Sequence, residues 1–243
     1  MGTKNTELSC GNCALSRICL PANLSARETR ILAGAVERGR ELCTGARLIR
    51  AGTRMDALYV VRSGSAKSCG VLKDGEEYVR AFNLPGEVAG LEGFANGHHT
   101  SDLVALEPLR YCRISIGRLE RMMETLPGLR REMLRLLGQS LEDTQRMRIE
   151  VSMVDARGRL ASFLVDLSRR LERRNLSPTH FRLSMSRRDI ARHLGLTLET
   201  VSRALGAFRR AGWVEVKARH IKLLRPDMLS GISFQNGGSR ALL

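Results

Sequence analysis

The sequence lacks any long run of apolar residues. No segment of the 243-residue chain approaches the roughly 20 apolar residues that a membrane-spanning helix needs. The first residues also lack the charged-then-apolar pattern of a secretory signal. We therefore expect a cytoplasmic protein with no membrane partner. In a reducing compartment, its six cysteines are expected as metal ligands or free thiols rather than as disulfides.

Catalytic signatures are missing as well. The chain contains no Gly-x-Gly-x-x-Gly, Gly-x-x-x-x-Gly-Lys-Ser/Thr, His-Glu-x-x-His or Gly-x-Ser-x-Gly sequence. A Cys–His nucleophile pair stays open, because such partners need not be close along the chain. Nothing in the sequence suggests one, so we expect that the protein is not an enzyme.

Acidic residues are scarce relative to basic ones. The chain has 40 Lys and Arg against 25 Asp and Glu, a formal net charge of +15. From Arg157 to Arg225 there are 17 basic and 5 acidic residues, so this segment carries +12 of the total. Lys and Arg gain affinity for polyanions by releasing counterions from phosphates. Nucleic acid is the expected partner, bound by the C-terminal third, and an acidic membrane surface is the alternative.

The region from Leu42 to Ser115 consists of short β-branched or aromatic runs, broken by turns that contain glycine or proline. Short strands at this spacing predict a β-barrel or sandwich. A helix is expected before it, from Leu24 to Glu37, with Ser25 and Glu28 as a capping box. The expected strands are Leu48–Ile49, Leu58–Val61, Ala66–Leu72, Tyr78–Phe82, Leu103–Leu106 and Arg110–Ile114.

A long helical pattern follows Ser115 and continues to about Val151, with apolar residues at spacings of 3, 4 and 7. Its length predicts either a break near Pro127 or a coiled-coil seam. We favour a seam between two chains, because DNA sites with two-fold symmetry call for two-fold proteins. A helix packed on its own β-domain is the alternative. The predicted seam residues are Leu129, Met133, Leu137, Leu141, Thr144 and Met147.

Two short helices are predicted in the basic segment. Ser186 and Asp189 form a capping box, and the first helix should end at Gly195. Thr197 can cap a second helix that buries a stripe of Val201, Leu205 and Phe208. Two helices in this order predict a helix-turn-helix, and the runs Trp213–Val216 and His220–Leu224 predict a β-wing behind it.

Three polar residues lie near the start of the second helix, opposite its buried stripe: Glu199, Ser202 and Arg203. Arg can donate twice to guanine, Glu can accept from cytosine N4, and Ser can contact base or phosphate. These residues are the predicted base readers, and an exposed Glu199–Arg203 ion pair with no such role is the alternative. The predicted phosphate contacts are Arg187, Arg188, Arg192, Thr197, Thr200, Arg209 and Arg210.

The run from Phe181 to Arg203 resembles the helix-turn-helix of the Crp/Fnr family, and the order Glu-x-x-Ser-Arg is the form of its Fnr type. The resemblance covers most of the chain. It implies an α+β architecture with a cyclic-nucleotide-binding-like β-roll, a long dimerisation helix and a C-terminal winged helix-turn-helix. It also implies double-stranded DNA with a TTGAT-type inverted repeat, a homodimer and contacts with RNA polymerase.

Four cysteines form a further pattern: Cys10, Cys13, Cys19 and the distant Cys112. Four thiolates are the number that a [4Fe-4S] cluster or a structural zinc requires. The first three lie in a segment with too little apolar material for a core, so a bound ligand would organise it. Unrelated reduced thiols are the alternative, which we expect for Cys43 and Cys69.

The cysteine spacing is similar to that of Fnr-type regulators. That similarity implies a [4Fe-4S] cluster that favours the dimer and DNA binding, and oxygen that converts it and releases the dimer. A short helix carrying Leu141, Thr144 and Met147 would be the switch. Zinc is the alternative metal, and a zinc-stabilised or small-molecule-responsive Crp-type regulator without oxygen sensing is the alternative function.

A cyclic-nucleotide sensor of the same fold is a further alternative. Its cassette pairs Gly-Glu with a downstream Arg-Ser that holds the phosphate. This chain keeps Gly86-Glu87, but His98 to Ser101 contains no arginine, so no cyclic nucleotide is expected. His98 and His99, next to Gly97, are expected to be solvated rather than to bind metal.

The expected organisation has five parts: a cysteine-bearing segment (1–22), a β-roll (23–117), a dimerisation helix (118–151), a winged helix-turn-helix (152–229) and a disordered tail (230–243). The expected function is a dimeric, oxygen-responsive regulator of genes for anaerobic metabolism.

Overall fold

The computed structural model describes residues 10–233, which form two units. The first contains residues 10–70 and 81–140, and the second contains residues 71–80 and 141–233. No helix within 10–233 is long and apolar enough to cross a bilayer.

The first unit begins with a short 3₁₀ helix, Cys10–Asn12, and helix α1, Ala26–Ala35. Ser25 accepts a hydrogen bond from the Glu28 amide, and the Glu28 carboxylate accepts one from the Ser25 amide, so the predicted capping box is confirmed. The strands that follow are β1 Glu37–Arg38, β2 Arg47–Ile49, β3 Ala57–Ser63, β4 Ala66–Val71, β5 Glu77–Asn83, β6 Val88–Ala89, β7 Asp102–Ala105 and β8 Arg110–Ser115, with a 3₁₀ helix at Leu91–Ala95.

These strands form two four-stranded antiparallel sheets, in the orders β1-β8-β3-β6 and β2-β7-β4-β5. The six strands predicted from the sequence are confirmed. The two-residue strands β1 and β6 were not predicted, because two residues are too few to show an alternating pattern. Leu58 pairs with Ile114 in register, and both are fully buried in a core that also contains Leu119.

Two helices follow the sheets. Helix α2, Ile116–Thr125, ends before Leu126, and helix α3 then runs from Pro127 to Met153. The predicted break near Pro127 is present, because proline fits the first turn of a helix but not its interior.

The predicted seam on α3 is corrected in part. Leu129 and Met133 are 0% and 3% exposed and pack in the chain's own core, so the alternative of a helix packed on its own domain holds for these two. Leu141 is 61% exposed, Thr144 is exposed, and Leu137 and Met147 are half-buried. Leu141, Thr144 and Met147 were predicted to lie on a short switch helix, but they belong to α3, a single helix of 27 residues.

The second unit contains the end of α3 and a small α+β domain. A three-stranded antiparallel sheet has the order β10-β11-β9, and the β10–β11 hairpin is the predicted wing. Its elements are α4 Ala156–Glu172, β9 His180–Arg182, α5 Arg187–Leu194, α6 Leu198–Arg210, β10 Val214–Lys217, β11 His220–Leu223 and α7 Pro226–Ile232. Because α7 continues to Ile232, the tail predicted from Ser230 starts too early, and residues 234–243 lie outside the described residues.

The hairpin between β4 and β5 contributes residues to this unit. The Glu77 carboxylate lies 2.5 Å from Nη1 of Arg192, and Nδ1 of His193 lies 3.2 Å from the Val79 carbonyl oxygen. A carbonyl can only accept, so Nδ1 of His193 must carry the proton. The ring of His193 also meets Phe163 edge to face, with centroids 5.9 Å apart. Burial lowers the pKa of His193 to about 4.

This lowered pKa predicts an acid sensitivity of the second unit. An unfolded histidine binds its proton near pH 6.5, whereas folded His193 binds it only near pH 4. Between these values the unfolded state holds more protons, so stability falls as the pH falls, by about 3 kcal/mol in total. Urea unfolding at pH 7 and pH 4.5 measures this loss. His193→Gln, which keeps an amide donor for the Val79 carbonyl, should flatten the dependence; an unchanged dependence would rule out His193 as its source.

Candidate nucleic-acid interface and cysteine site

Helix α5 begins and ends as its sequence predicts. The Ser186 hydroxyl accepts a hydrogen bond from the Asp189 amide, and the Asp189 carboxylate accepts from the Ser186 amide. At the other end, Gly195 adopts φ +62°, a left-handed conformation that glycine accepts without strain. Nη1 of Arg159, on α4, donates to the Leu194 carbonyl at 3.1 Å. These contacts fix both ends of the first helix of the motif.

Helix α6 is held against α5 by its apolar stripe. Val201, Leu205 and Phe208 are 0%, 4% and 2% exposed, as their spacing predicts. Phe208 also stacks on Trp213 at the start of the wing, with ring centroids 5.6 Å apart. The two short helices and the β10–β11 hairpin therefore form a winged helix-turn-helix.

The opposite face of α6 presents the predicted base readers. The side chains of Glu199 and Arg203 are 78% and 73% exposed, and Ser202 is half-buried beside them. Nε of Arg203 lies 3.7 Å from Oε1 of Glu199. An exposed ion pair at i, i+4 contributes only about 0.3–0.5 kcal/mol. Both side chains can therefore leave the pair at little cost.

The predicted phosphate contacts divide into two groups. Arg187, Arg188, Arg209 and Arg210 are exposed around the motif. Arg192 pairs with Glu77 in the free chain, and its contact with phosphate stays a prediction.

The two threonines among the predicted phosphate contacts form hydrogen bonds at the start of α6. Oγ1 of Thr197 accepts from the Thr200 amide at 3.1 Å and lies 2.8 Å from Oγ1 of Thr200. Their hydroxyls thus cap α6 in the free protein.

The cysteine segment folds as a series of tight turns. The Ser16 amide donates to the Cys13 carbonyl, and the Cys19 amide donates to the Leu15 carbonyl, both at 2.9 Å. Leu20 is 2% exposed within the main core. A Cβ at Gly86, which has φ +89°, would lie 3.0 Å from Cγ1 of Ile18, so the close packing of this turn against the segment requires glycine. The segment therefore has apolar anchors that its sequence did not reveal.

The fourth cysteine lies on the central strand β8, where Cys112 pairs in register with Arg38 on β1 and with Val60 on β3. Cys10, Cys13, Cys19 and Cys112 are all half-buried free thiols. Two sheet neighbours therefore hold the backbone of Cys112 in place.

The four thiols interact electrostatically. Burial raises the pKa of Cys19 to about 12; the neighbouring Cys112, Cys10 and Cys13 contribute to this rise, and a backbone hydrogen bond at Leu20 opposes it. Burial also raises the pKa of Cys10, with Cys112 and Cys13 adding to the shift and Arg38 opposing it. The thiols with raised pKa values are protonated at neutral pH, so a bound metal would have to displace those protons.

The donor set fits a cysteine-ligated cluster in number and in softness, since four thiolates are its usual ligands. Burial raises the pKa of Cys112 too, whereas the nearby cations Arg62 and Arg38 lower it. Within residues 10–233, no three His, Cys, Asp or Glu side chains form a group that could hold a metal ion. The structure thus brings the four thiols into one electrostatic neighbourhood without showing a metal site.

The cassette region of the β-roll is occupied by internal contacts. The Glu87 carboxylate accepts from the Leu84 amide at 2.9 Å, within its own turn. His98 is exposed as expected, but His99 is 3% exposed, and its Nδ1 lies 3.6 Å from Oε1 of Glu92. The expectation that both histidines are solvated is therefore wrong for His99.

No sequence pattern indicated a buried acidic residue on α3. Glu132 is 2% exposed and accepts a hydrogen bond from Nδ2 of Asn23, 109 residues away, at 2.8 Å. Its position in the helical pattern, next to the buried Met133, is the only signal that could have placed it on the buried face.

Comparison with protein-family models gives two matches along the chain. Residues 39–126 match the cyclic nucleotide-binding domain, and residues 158–232 match the Crp-like helix-turn-helix domain. These ranges correspond to the two-sheet roll and to the winged motif.

Curated relatives align with almost the whole chain. The fumarate and nitrate reduction regulatory protein of Salmonella typhi is 36% identical over 93% of this chain and 90% of its own length. That of Klebsiella oxytoca is 36% identical over 94% and 91%. Among solved structures, FixK2 from Bradyrhizobium japonicum has a TM-score of 0.75 at 28% identity, covering 82% of this chain and 97% of FixK2.

These relatives are transcription regulators rather than enzymes, and regulators with this helix-turn-helix bind DNA and are typically dimeric. With both domain models matched in order and a relative that aligns over almost the whole length, the chain belongs to the Crp/Fnr family of transcription regulators, and within it resembles the Fnr type.

Proposed function

We propose that this protein is a dimeric regulator of genes for anaerobic metabolism that responds to oxygen through a [4Fe-4S] cluster held by Cys10, Cys13, Cys19 and Cys112. The observation that carries the proposal is the placement of these four half-buried free thiols, three on one turn segment that Leu20 anchors in the core and one on β8. The printed name of the 36% identical relatives, a regulator of fumarate and nitrate reduction, supports the anaerobic role.

In the proposed regulator, α6 is the helix that recognises DNA. Arg203 would donate to a guanine, Glu199 would accept from a cytosine, and Ser202 would contact base or phosphate. Their exposure and their common face support this assignment. Arg187, Arg188 and Arg209, around them, would bind phosphates and set the register, with a TTGAT-type inverted repeat as the expected site.

The input is the cysteine segment together with β8. When bound, the cluster would supply an oxygen-reactive centre whose loss changes the protein's oligomeric state. The chain's own residues hold the ligands: β1 and β3 fix Cys112, Leu20 anchors the segment in the core, and Arg38 favours the thiolate form of Cys10 and Cys112.

Leu141, Thr144 and Met147 would form the dimer seam. Leu141 and Thr144 are exposed on the described chain, and Met147 is half-buried. A few kcal/mol of seam packing is enough to shift a two-state equilibrium between monomer and dimer.

One experiment tests the input and the output together. Protein purified without oxygen is analysed for iron, sulfide and zinc, and its affinity for a TTGAT inverted repeat is measured before and after exposure to air. We expect a coloured protein with iron and sulfide, whose dimer fraction and DNA affinity fall in air. A colourless zinc protein that binds DNA equally in air would contradict the proposal and leave a zinc-stabilised regulator.

A further inference from the structure

A buried carboxylate connects the cysteine segment to α3. Glu132, on the second turn of α3, has a side chain that is 1% exposed. Nδ2 of Asn23 donates to its Oε2 at 2.8 Å, and Nε of Arg135 donates to the same oxygen at 2.9 Å. Asn23 follows Cys19 by only four residues. The side chain directly after the segment that carries three cysteines is therefore hydrogen-bonded to a buried carboxylate of the long helix.

A second contact joins helix α1, which follows the cysteine segment, to the start of α3. Oε1 of Glu28, on α1, accepts a hydrogen bond from the Gly128 amide at 2.7 Å. Gly128 lies in the first turn of α3, where backbone amides have no partner within the helix. A Cβ at this position would lie 2.5 Å from the Glu28 carboxylate, so the approach requires glycine. The same carboxylate also accepts from Ser25, which fixes it to the start of α1.

Apolar packing completes the connection. Leu20, next to Cys19, shares one buried cluster with Leu129 and Met133 of α3. A buried carboxylate keeps its charge only while its hydrogen bonds are satisfied. The bonds from Arg135 and Asn23 hold the pKa of Glu132 below its ordinary value, although burial alone would raise it. If residues 19–23 move, either the first turns of α3 move with them or the hydrogen bonds of Glu132 are disturbed.

We propose that Asn23 and Glu132 are the positioning pair through which the first turns of α3 follow the cysteine segment, so that the state of the four cysteines is transmitted to the dimerisation helix. This inference rests on the proposed function for its physiological input, and it names the route from input to output. Neither residue is a cluster ligand. Arg135 and Glu28 keep Glu132 and Gly128 in place at the helix end of the connection.

The test uses the full-length chain with exposed Asn23 replaced. Asn23→Ala removes the donor and leaves Glu132 with Arg135, whereas Asn23→Asp places a second carboxylate against Glu132. Asn96→Ala is the matched control, because Asn96 is an exposed asparagine in the same unit, on the turn after the second 3₁₀ helix. Each protein is prepared without oxygen, its iron content is measured, and its dimer dissociation constant is determined by sedimentation before and after air.

We expect Asn23→Ala to keep the iron content of the unmodified protein. The ratio of its two dimer dissociation constants should fall by about tenfold, the equilibrium equivalent of one hydrogen bond to a charged group. Asn23→Asp should reduce the ratio further, and Asn96→Ala should leave it unchanged. A ratio for Asn23→Ala equal to that of the unmodified protein overturns the proposal. So does a loss of iron from Asn23→Ala alone, because Asn23 would then support ligation rather than transmission.

A second readout separates this inference from the proposed function. Amide hydrogen exchange of the metal-free proteins follows residues 10–24 and 127–135 without any cluster. Faster exchange in both segments of Asn23→Ala, but not of Asn96→Ala, supports the link even if the unmodified protein binds no iron. A change confined to one segment, or none, shows that the two move independently and overturns it.

Discussion

Cys112→Ser protein prepared without oxygen will contain iron at background level and will show the same DNA affinity before and after air. A serine hydroxyl is not deprotonated near neutral pH and is a hard ligand, whereas iron–sulfur clusters are held by soft thiolates. Loss of residues that only support the ligands costs 10–100-fold in metal affinity, so loss of a ligand itself should cost more than about 100-fold. Iron and sulfide analysis and DNA binding measure the effect.

The matched control is Cys43→Ser, since Cys43 is an exposed free thiol outside the proposed ligand set. It should keep both iron and the response to air. Thermal unfolding of the two metal-free variants checks that each is folded. Equal iron content in the two variants would remove Cys112 from the ligand set and, with it, the proposed centre.

Arg203→Ala will lower affinity for the specific site by about 1–3 kcal/mol, or roughly 5–150-fold, with the loss concentrated at one base pair. The side chain is 73% exposed and its pair with Glu199 is weak, so the free energy of unfolding should change by less than about 0.5 kcal/mol. Binding to a set of sites with single base-pair changes locates the effect, because the variant should no longer discriminate at the position that Arg203 reads.

Arg209→Ala is the companion variant, at an exposed position near the end of α6. A phosphate contact predicts a loss spread evenly over all sequences, with the slope of log affinity against log salt reduced by about 1. If Arg203→Ala behaves in this uniform way too, Arg203 contacts phosphate and the base-reading assignment fails.

Features that depend on neighbouring residues, such as helix caps and buried faces, could be predicted from the sequence. The capping boxes at Ser25 and Ser186 and the left-handed Gly195 depend on residues only a few positions apart. The buried stripe of α6 follows from helical periodicity alone. For the same reason, the strands with several residues and the wing were found, whereas β1 and β6 were not.

Contacts between residues far apart in the sequence could not be predicted from local patterns. Asn23 and Glu132 are 109 residues apart, and neither carries a motif. Leu129 and Met133 have the spacing of a seam, but periodicity shows only that a face is apolar, not which partner covers it. Arg192 was expected at DNA because of its charge, and only the fold shows Glu77 beside it. The candidate cysteines could be chosen by spacing, while their shared electrostatic neighbourhood required the structure.

The exposed pair of Glu199 and Arg203 affects non-specific DNA binding and base recognition in different ways. While paired, the reading face of α6 is close to neutral, so it adds little to the attraction that draws the protein to any stretch of duplex. That attraction would come from the surrounding exposed arginines, such as Arg187, Arg188 and Arg209, because their predicted phosphate contacts do not depend on the base sequence. Because the pair contributes only about 0.3–0.5 kcal/mol, it opens readily, and at a matching base pair contacts to the bases would replace it.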